Sequence, residues 1–290
     1  MSEPSALAYR IVDVFTDRAF AGNPLAVVLE ADELSTEQMQ RIAREFNLSE
    51  TAFPITASTS DANYRLRIFT PAAELPFAGH PSVGAAWVMR SLGRVSDGPI
   101  VQECGAGLLP LVIEGDSVTL TGGAAHLDDV IADPSAIVAA IGLTTADLAG
   151  DPVRWAGVGI DFGFVHAKPD AVARARPNAT LLADLDAKAG VSVFSFADGV
   201  AHARVFAGRL GVAEDPATGS AALGLGVWLA AAGHVAADGE TPYIVNQGLE
   251  IGRPSRLDCV VRCEAGVAVG SRVTGSVVPI ADGRIRHPIG

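Results

Sequence analysis

Two segments of the chain read as copies of one another. Arg67-Ile68-Phe69 precedes Glu74, then Gly79-His80, then a small-residue run ending at Trp87. Arg204-Val205-Phe206 precedes Glu214, then Gly219-Ser220, then a small-residue run ending at Trp228. Glu74 to Gly79 and Glu214 to Gly219 are the same 5-residue step, and the two glycines lie 140 positions apart in a chain of 290. A repeat of that length predicts two similar domains, drawn at 1–127 and 128–290, with a tail that can pack back onto the first.

Each copy reads as strand, small-residue turn and helix. Ala203-Arg204-Val205-Phe206 alternates like a half-buried strand, and Leu223 to Ala232 is apolar and rich in helix formers. The first amides of such a helix have no partner within it, and the helix dipole favours an anion there. Thr218 and Ser220 are candidate caps, and Gly219 permits close approach of a ligand to the backbone. Two such helix starts facing each other would form an anion site between the domains, where ligand pockets favour sitting.

Beyond the repeat, several stretches share one further likeness. They are Val12-Asp13-Val14-Phe15, Phe20 to Val28, Asn47-Leu48-Ser49-Glu50-Thr51-Ala52-Phe53, Arg67 to Pro71, Glu74 to Pro81, Glu214 to Ala221, Gln247-Gly248 and Gly252 to Ser255. In this order, and over almost the whole chain, they resemble the family of the phenazine-biosynthesis isomerase PhzF. The resemblance implies an α+β fold of the diaminopimelate-epimerase-like type. Each of two similar domains would wrap a β-sheet or barrel around a central helix, with the active-site cleft between them.

The bulk properties narrow the partners. Charged residues make up 19% and hydrophobic ones 49%, which argues against disorder. A net charge of −12 is wrong for nucleic acid, whose phosphates need a basic surface. A small anion needs only local donors. The N-terminus lacks a charged segment followed by an apolar core, so no signal peptide is expected. The longest apolar run, Ala221 to Gly233, is too short to span a bilayer. Three cysteines (Cys104, Cys259, Cys263) are not a disulfide framework. The expectation is a cytoplasmic protein with no membrane and no nucleic-acid partner.

Along the chain, Tyr9 to Phe15 and Leu25 to Leu29 read as strands joined through Gly22-Asn23-Pro24. Ser35 with Gln38 predicts a capped helix to about Phe46, stopped by Asn47. Strands are expected over 52–55, 64–69, 107–113, 117–121, 153–160, 162–166, 191–196, 201–206, 244–245, 256–263, 267–269 and 274–278. Helices are expected over 81–92, 134–141, 145–149, 170–175, 178–189 and 220–233.

The six histidines form no i, i+4 metal pair, and no histidine near Cys259 and Cys263 completes a zinc set, so no metal site is expected. No Walker A or intact Gly-x-Gly-x-x-Gly sequence is present, so no cofactor is expected. Gly79-His80-Pro81-Ser82-Val83-Gly84 misses the nucleophile elbow by one residue, because an extra position separates the first glycine from Ser82. Racemases of the wider fold use one thiol from each half. Ala78 and Thr218 stand before the two glycines here, so a two-thiol mechanism is excluded.

A carboxylate remains. A desolvated Glu can take a proton from carbon and return it elsewhere. The resemblance gives that role to the Glu of the Ser-Glu-Thr segment, Glu50. Asp215 and His80 match the catalytic polar shell, and Ser49, Gly79, Gly219 and Ser220 the substrate-binding positions. The implied activity is a cofactor-independent isomerase of a small carboxylate, of the trans-2,3-dihydro-3-hydroxyanthranilate type, in a homodimer. The alternatives are an epimerase of another carboxylic acid and a non-catalytic binding or scaffold member.

Overall fold

The computed structural model describes residues 6–185, 189–208 and 212–288. The chain divides into two compact units, one built from residues up to Leu120 with those from Gly275 onward, the other from Thr121–Thr274.

The first unit is a ring of strands. Ala6–Val14 pairs antiparallel with Asn23–Val28 and with residues 277–286 of the strand Val267–Arg286. Asn23–Val28 runs parallel to Glu50–Ile55, which pairs antiparallel with Tyr64–Phe69. Tyr64–Phe69 lies parallel to Gly98–Cys104, and two hairpins continue to Gly107–Glu114 and Ser117–Thr121. Ser117–Thr121 meets the long C-terminal strand, next to which Val277 N donates to the Asp116 carbonyl at 2.9 Å. The sheet thereby closes on itself, and its main strands have no open edge.

Helix α1 (Thr36–Phe46) lies against this sheet and buries Met39, Ile42 and Ala43 among Leu7, Val28, Phe53 and Phe69. Its capping box forms as expected: Ser35 Oγ accepts from Gln38 N, and Gln38 Oε1 accepts from Ser35 N at 2.9 Å. Asn47 closes the helix in the left-handed region, at φ 51°. Helix α2 (Gly79–Ser91) packs on strands from several parts of the ring and is buried on every side from Gly79 to Met89. A helix without a polar face belongs inside a core. Its small residues let the ring close tightly: a Cβ on Gly84 would stand 2.6 Å from Leu25 Cδ2 and 2.8 Å from Val14 Cγ2.

The second unit repeats the plan. His126–Leu127, Arg154–Gly157 and Asp161–His166 pair in turn, and Asp161–His166 runs parallel to Gly190–Ala197. The hairpin to Val200–Ala207 turns at Asp198 and Gly199, both at positive φ. Gly239–Gln247, Ser255–Glu264 and residues 267–274 follow, and Gly122 N donates to the Ser271 carbonyl at 2.8 Å to bring the two ends together. Short helices α3 (Ser135–Ala140), α4 (Pro169–Arg174) and α5 (Ala179–Asp184) bury a separate apolar cluster that includes Ile137, Val172, Leu182 and Phe206. Helix α6 (Gly219–Ala231) is the counterpart of α2 and is buried from Gly219 to Leu229.

The repeat read in the sequence is a repeated construction. Arg67 grips Glu74 through Nε and Nη2, both at 2.7 Å, and Arg204 grips Glu214 at 2.9 and 2.7 Å. Each guanidinium lies 5.2 Å from the ring centroid of the phenylalanine two residues on, Phe69 or Phe206.

The structure differs from expectation in a few elements. Strands expected at 267–269 and 274–278 are one continuous strand, Val267–Arg286. The helix expected at 145–149 is a single 3₁₀ turn, Thr145–Asp147, with Thr144 and Asp147 capping it. The helix expected over 178–189 is seen as α5, and residues 186–188 lie outside the described residues. Gly98–Cys104 is a strand that periodicity hides, because its inward position Gln102 is polar and buried, accepting from Tyr64 Oη at 2.9 Å. Among the described residues no helix is long and apolar enough to cross a membrane.

Candidate active site

Glu50 is the first residue of Glu50–Ile55 and stands in register with Leu25 of the neighbouring parallel strand. Asn23 opens that neighbour, and His80 is the second residue of α2. Strand starts and a helix start therefore bring three polar side chains together at one end of the first ring. All three are buried. His80 Nδ1 lies 3.3 Å from Asn23 Nδ2 and 3.6 Å from Glu50 Oε2, and Ser49 Oγ donates to Asn23 Oδ1 at 3.2 Å.

His80 carries no charge near neutrality. Burial pushes its pKa down from 6.5 to about 3, outweighing a hydrogen bond to the Pro24 backbone that raises it. The contact with Glu50 is therefore not an ion pair, and at 3.6 Å it is also too long for a hydrogen bond. His80 Nε2 is buried and has no hydrogen-bond partner among the described residues. Such an atom in a native core calls for an explanation, and a ligand is one.

The N-cap of α2, Ala78, offers no side-chain cap. Its first amides are thus left uncapped by any side chain. The buried Ser82 hydroxyl is engaged on both sides: its Oγ donates to the Ala78 carbonyl at 2.9 Å and accepts from Gln102 Nε2 at 3.0 Å.

In the second unit Asp215 ends the strand Val212–Asp215, and Gly219 and Ser220 open α6. Thr218 occupies the N-cap position, but its side chain makes no capping bond. The reading of Thr218 as a cap is corrected, because its hydroxyl donates to Asp215 Oδ2 at 2.6 Å instead. Ser220, within the helix, is not the cap residue either.

One buried side chain that sequence reasoning had given no role holds this turn together. Gln247 Nε2 donates to the Asp215 carbonyl at 2.7 Å and to Thr218 Oγ1 at 3.0 Å, while its Oε1 accepts from Thr218 N at 3.2 Å. Gly248 follows at φ +77°, where a Cβ would lie 2.3 Å from the Arg253 carbonyl oxygen and 2.7 Å from that of Pro216. Asn23 was likewise given no role. Both residues fell within stretches that carried the family likeness, which was the available signal.

Free cysteines Cys104, Cys259 and Cys263 are all buried, and burial pushes the Cys259 and Cys263 thiols up.

The model of the phenazine biosynthesis-like protein family matches residues 12–283. The chain belongs to the PhzF family. It is 36% identical to a trans-2,3-dihydro-3-hydroxyanthranilate isomerase of Pseudomonas aeruginosa, over 95% of this chain and 98% of that one. It is 35% identical to an uncharacterized isomerase of Pasteurella multocida, over 98% and 95% of the two chains. A PhzF-family phenazine biosynthesis protein of Bacillus anthracis has the same fold, with a TM-score of 0.87, 28% identity, and coverage of 97% and 99%. The Pseudomonas aeruginosa and Pasteurella multocida relatives are named isomerases, and this chain is an enzyme of that class.

Proposed function

We propose that the protein is a cofactor-independent isomerase that moves a proton between two carbons of a small unsaturated carboxylate, with Glu50 as the shuttling acid–base group. The observation that carries this reading is the juxtaposition of Glu50 with a neutral His80 whose Nε2 is buried and unused by the described residues. A neutral imidazole adds no positive charge to hold the carboxylate ionised, which suits a Glu50 that accepts and returns a proton. His80 Nε2 is then available to a polar atom of the substrate, and the amides of Gly79 and His80 suit its carboxylate. Ser49 fixes Asn23, which stands against the His80 ring. Asp215, held by Thr218 and Gln247, is proposed to orient substrate, and the Gly219 and Ser220 amides to bind carboxylate. A substrate of the trans-2,3-dihydro-3-hydroxyanthranilate type follows from the Pseudomonas aeruginosa relative. A homodimer is proposed on the family likeness alone.

The test is solvent-deuterium exchange into that dihydro-hydroxyanthranilate and into a panel of small unsaturated carboxylates. Wild type exchanges at least one of them, and Glu50→Gln loses about 10²- to 10⁴-fold in rate while still binding it. Equal exchange by the two proteins would show that another group is the base. Absence of exchange by wild type across the panel would favour a binding role.

A further inference from the structure

One carboxylate and two imidazoles meet in the second unit, and the proposed isomerase chemistry uses none of them. Asp151 lies in the segment before strand Arg154–Gly157, His166 ends strand Asp161–His166, and His234 follows the C-terminal turn of α6. His166 Nδ1 is 2.6 Å and His234 Nε2 3.1 Å from the same atom, Asp151 Oδ2. The three donor atoms all lie within 4.8 Å of one another.

The packing around them fixes both rings. His166 stacks on Phe194 at 5.1 Å between centroids with 9° between planes, and His234 stacks on Trp228 at 5.8 Å and 13°. The Asp151 segment is tied on both sides: Ala149 N donates to the His166 carbonyl at 3.0 Å, and Trp228 Nε1 donates to the Pro152 carbonyl at 3.1 Å. His234 N donates to the Leu229 carbonyl at 2.9 Å, just past Gly233 at φ +76°. Metal-binding histidines need this kind of outer support to hold their orientation. One side of the cluster is aromatic, formed by Phe194 and Trp228, whereas His234 is exposed and gives an ion a way in.

We propose that Asp151 Oδ2, His166 Nδ1 and His234 Nε2 bind one divalent transition-metal ion of the zinc class. Two imidazoles and one carboxylate suit zinc, cobalt, nickel or copper, whereas magnesium and calcium prefer oxygen throughout. Metal–ligand bonds of about 2.0–2.2 Å need the carboxylate to draw back slightly from the two nitrogens. A neutral imidazole frees its lone pair by carrying its proton on the other ring nitrogen. Water completes the coordination. The ion would clip the end of α6 to the end of Asp161–His166.

The test uses the full chain without a histidine tag, stripped with a chelator and titrated with zinc by calorimetry and with cobalt by visible absorption. One ion binds per chain, and zinc raises the melting temperature. Asp151→Asn and His234→Ala each weaken zinc binding by more than about 100-fold, beyond the usual effect of an outer-shell change. His126→Ala is the control: its two ring nitrogens face different carboxylates, Asp128 at 3.3 Å and Asp161 at 2.9 Å, and its loss leaves binding intact. If Asp151→Asn fails to fold, the exposed His234→Ala decides alone. Absence of saturable zinc binding by wild type, wild-type affinity in His234→Ala, or loss of binding in His126→Ala would overturn the site.

Discussion

His80 Nδ1 stands 3.6 Å from Glu50 Oε2, yet the ring is neutral. A charged imidazole there would neutralise the carboxylate and hold its proton. A neutral one makes no ion pair with Glu50, and desolvation of the ring is the cause.

That burial sets a pH dependence of stability. The His80 pKa is lowered from 6.5 to about 3, so between those values the unfolded chain binds a proton that the folded chain refuses. The His80 contribution is complete above pH 6.5 and is lost as pH falls toward 3, by up to about 1.4 kcal/mol per pH unit. Denaturant titrations of wild type and His80→Asn across this range will show a shallower acid slope in the variant. Parallel slopes would mean that the folded protein protonates His80 readily.

Gln247→Leu keeps the size of a buried side chain but removes three hydrogen bonds from the Asp215 turn. Stranding buried groups of this kind costs about 1–3 kcal/mol each. If Asp215 orients substrate as proposed, KM for the carboxylate substrate rises more than kcat falls, since Gln247 makes no hydrogen bond to Glu50. Steady-state kinetics on the exchanging substrate separate the two effects.

The repeated Arg–Glu pairs differ in depth, and their deletions will differ accordingly. Arg204 and Glu214 side chains are only 4% and 10% exposed, against 16% and 37% for Arg67 and Glu74. Arg204 also donates to the carbonyls of Val172, Ala173 and Ala175 at the end of α4. Glu214→Gln removes the hydrogen-bonded carboxylate from that buried cation and leaves Glu250 Oε2, 3.8 Å from Arg204 Nε, as its remaining counter-charge, so the cost is up to about 3–5 kcal/mol. Glu74→Gln breaks a largely surface pair worth about 0–1 kcal/mol. Chemical denaturation of the two variants measures the difference.

Gly84→Val drives a branched side chain into Leu25 and Val14 on the ring around α2. Overpacking of this kind costs about 1–3 kcal/mol, visible as a lower melting temperature, whereas the solvent-facing Gly93, with nothing within 4 Å of a built Cβ, is not subject to the same clash.

Local rules made much of this fold legible. Ser35 and Gln38 announced α1, and the doubled Arg–x–Phe to Glu–Gly spacing announced two matching units. What stayed hidden depended on tertiary partners. Gln102 masks its strand because its polarity is satisfied by Tyr64 and Ser82, which are distant in sequence. The site residues Glu50 and His80 could be named from the family likeness, but the neutrality of His80 arises from burial that no spacing shows. His166 and His234 are 68 positions apart in the sequence, so no periodicity could join them to Asp151. Thr218 was misjudged because it has the right chemistry for a cap and a better acceptor next to it in Asp215.

The strand that closes the first ring, residues 277–286 against Ala6–Val14, follows the whole second unit in the sequence. During synthesis the second unit can therefore complete its own ring while the first still lacks a stave. Until residues 277–286 leave the ribosome, Ala6–Val14 exposes one hydrogen-bonding edge, the kind of surface that chaperones shield and neighbouring nascent chains capture.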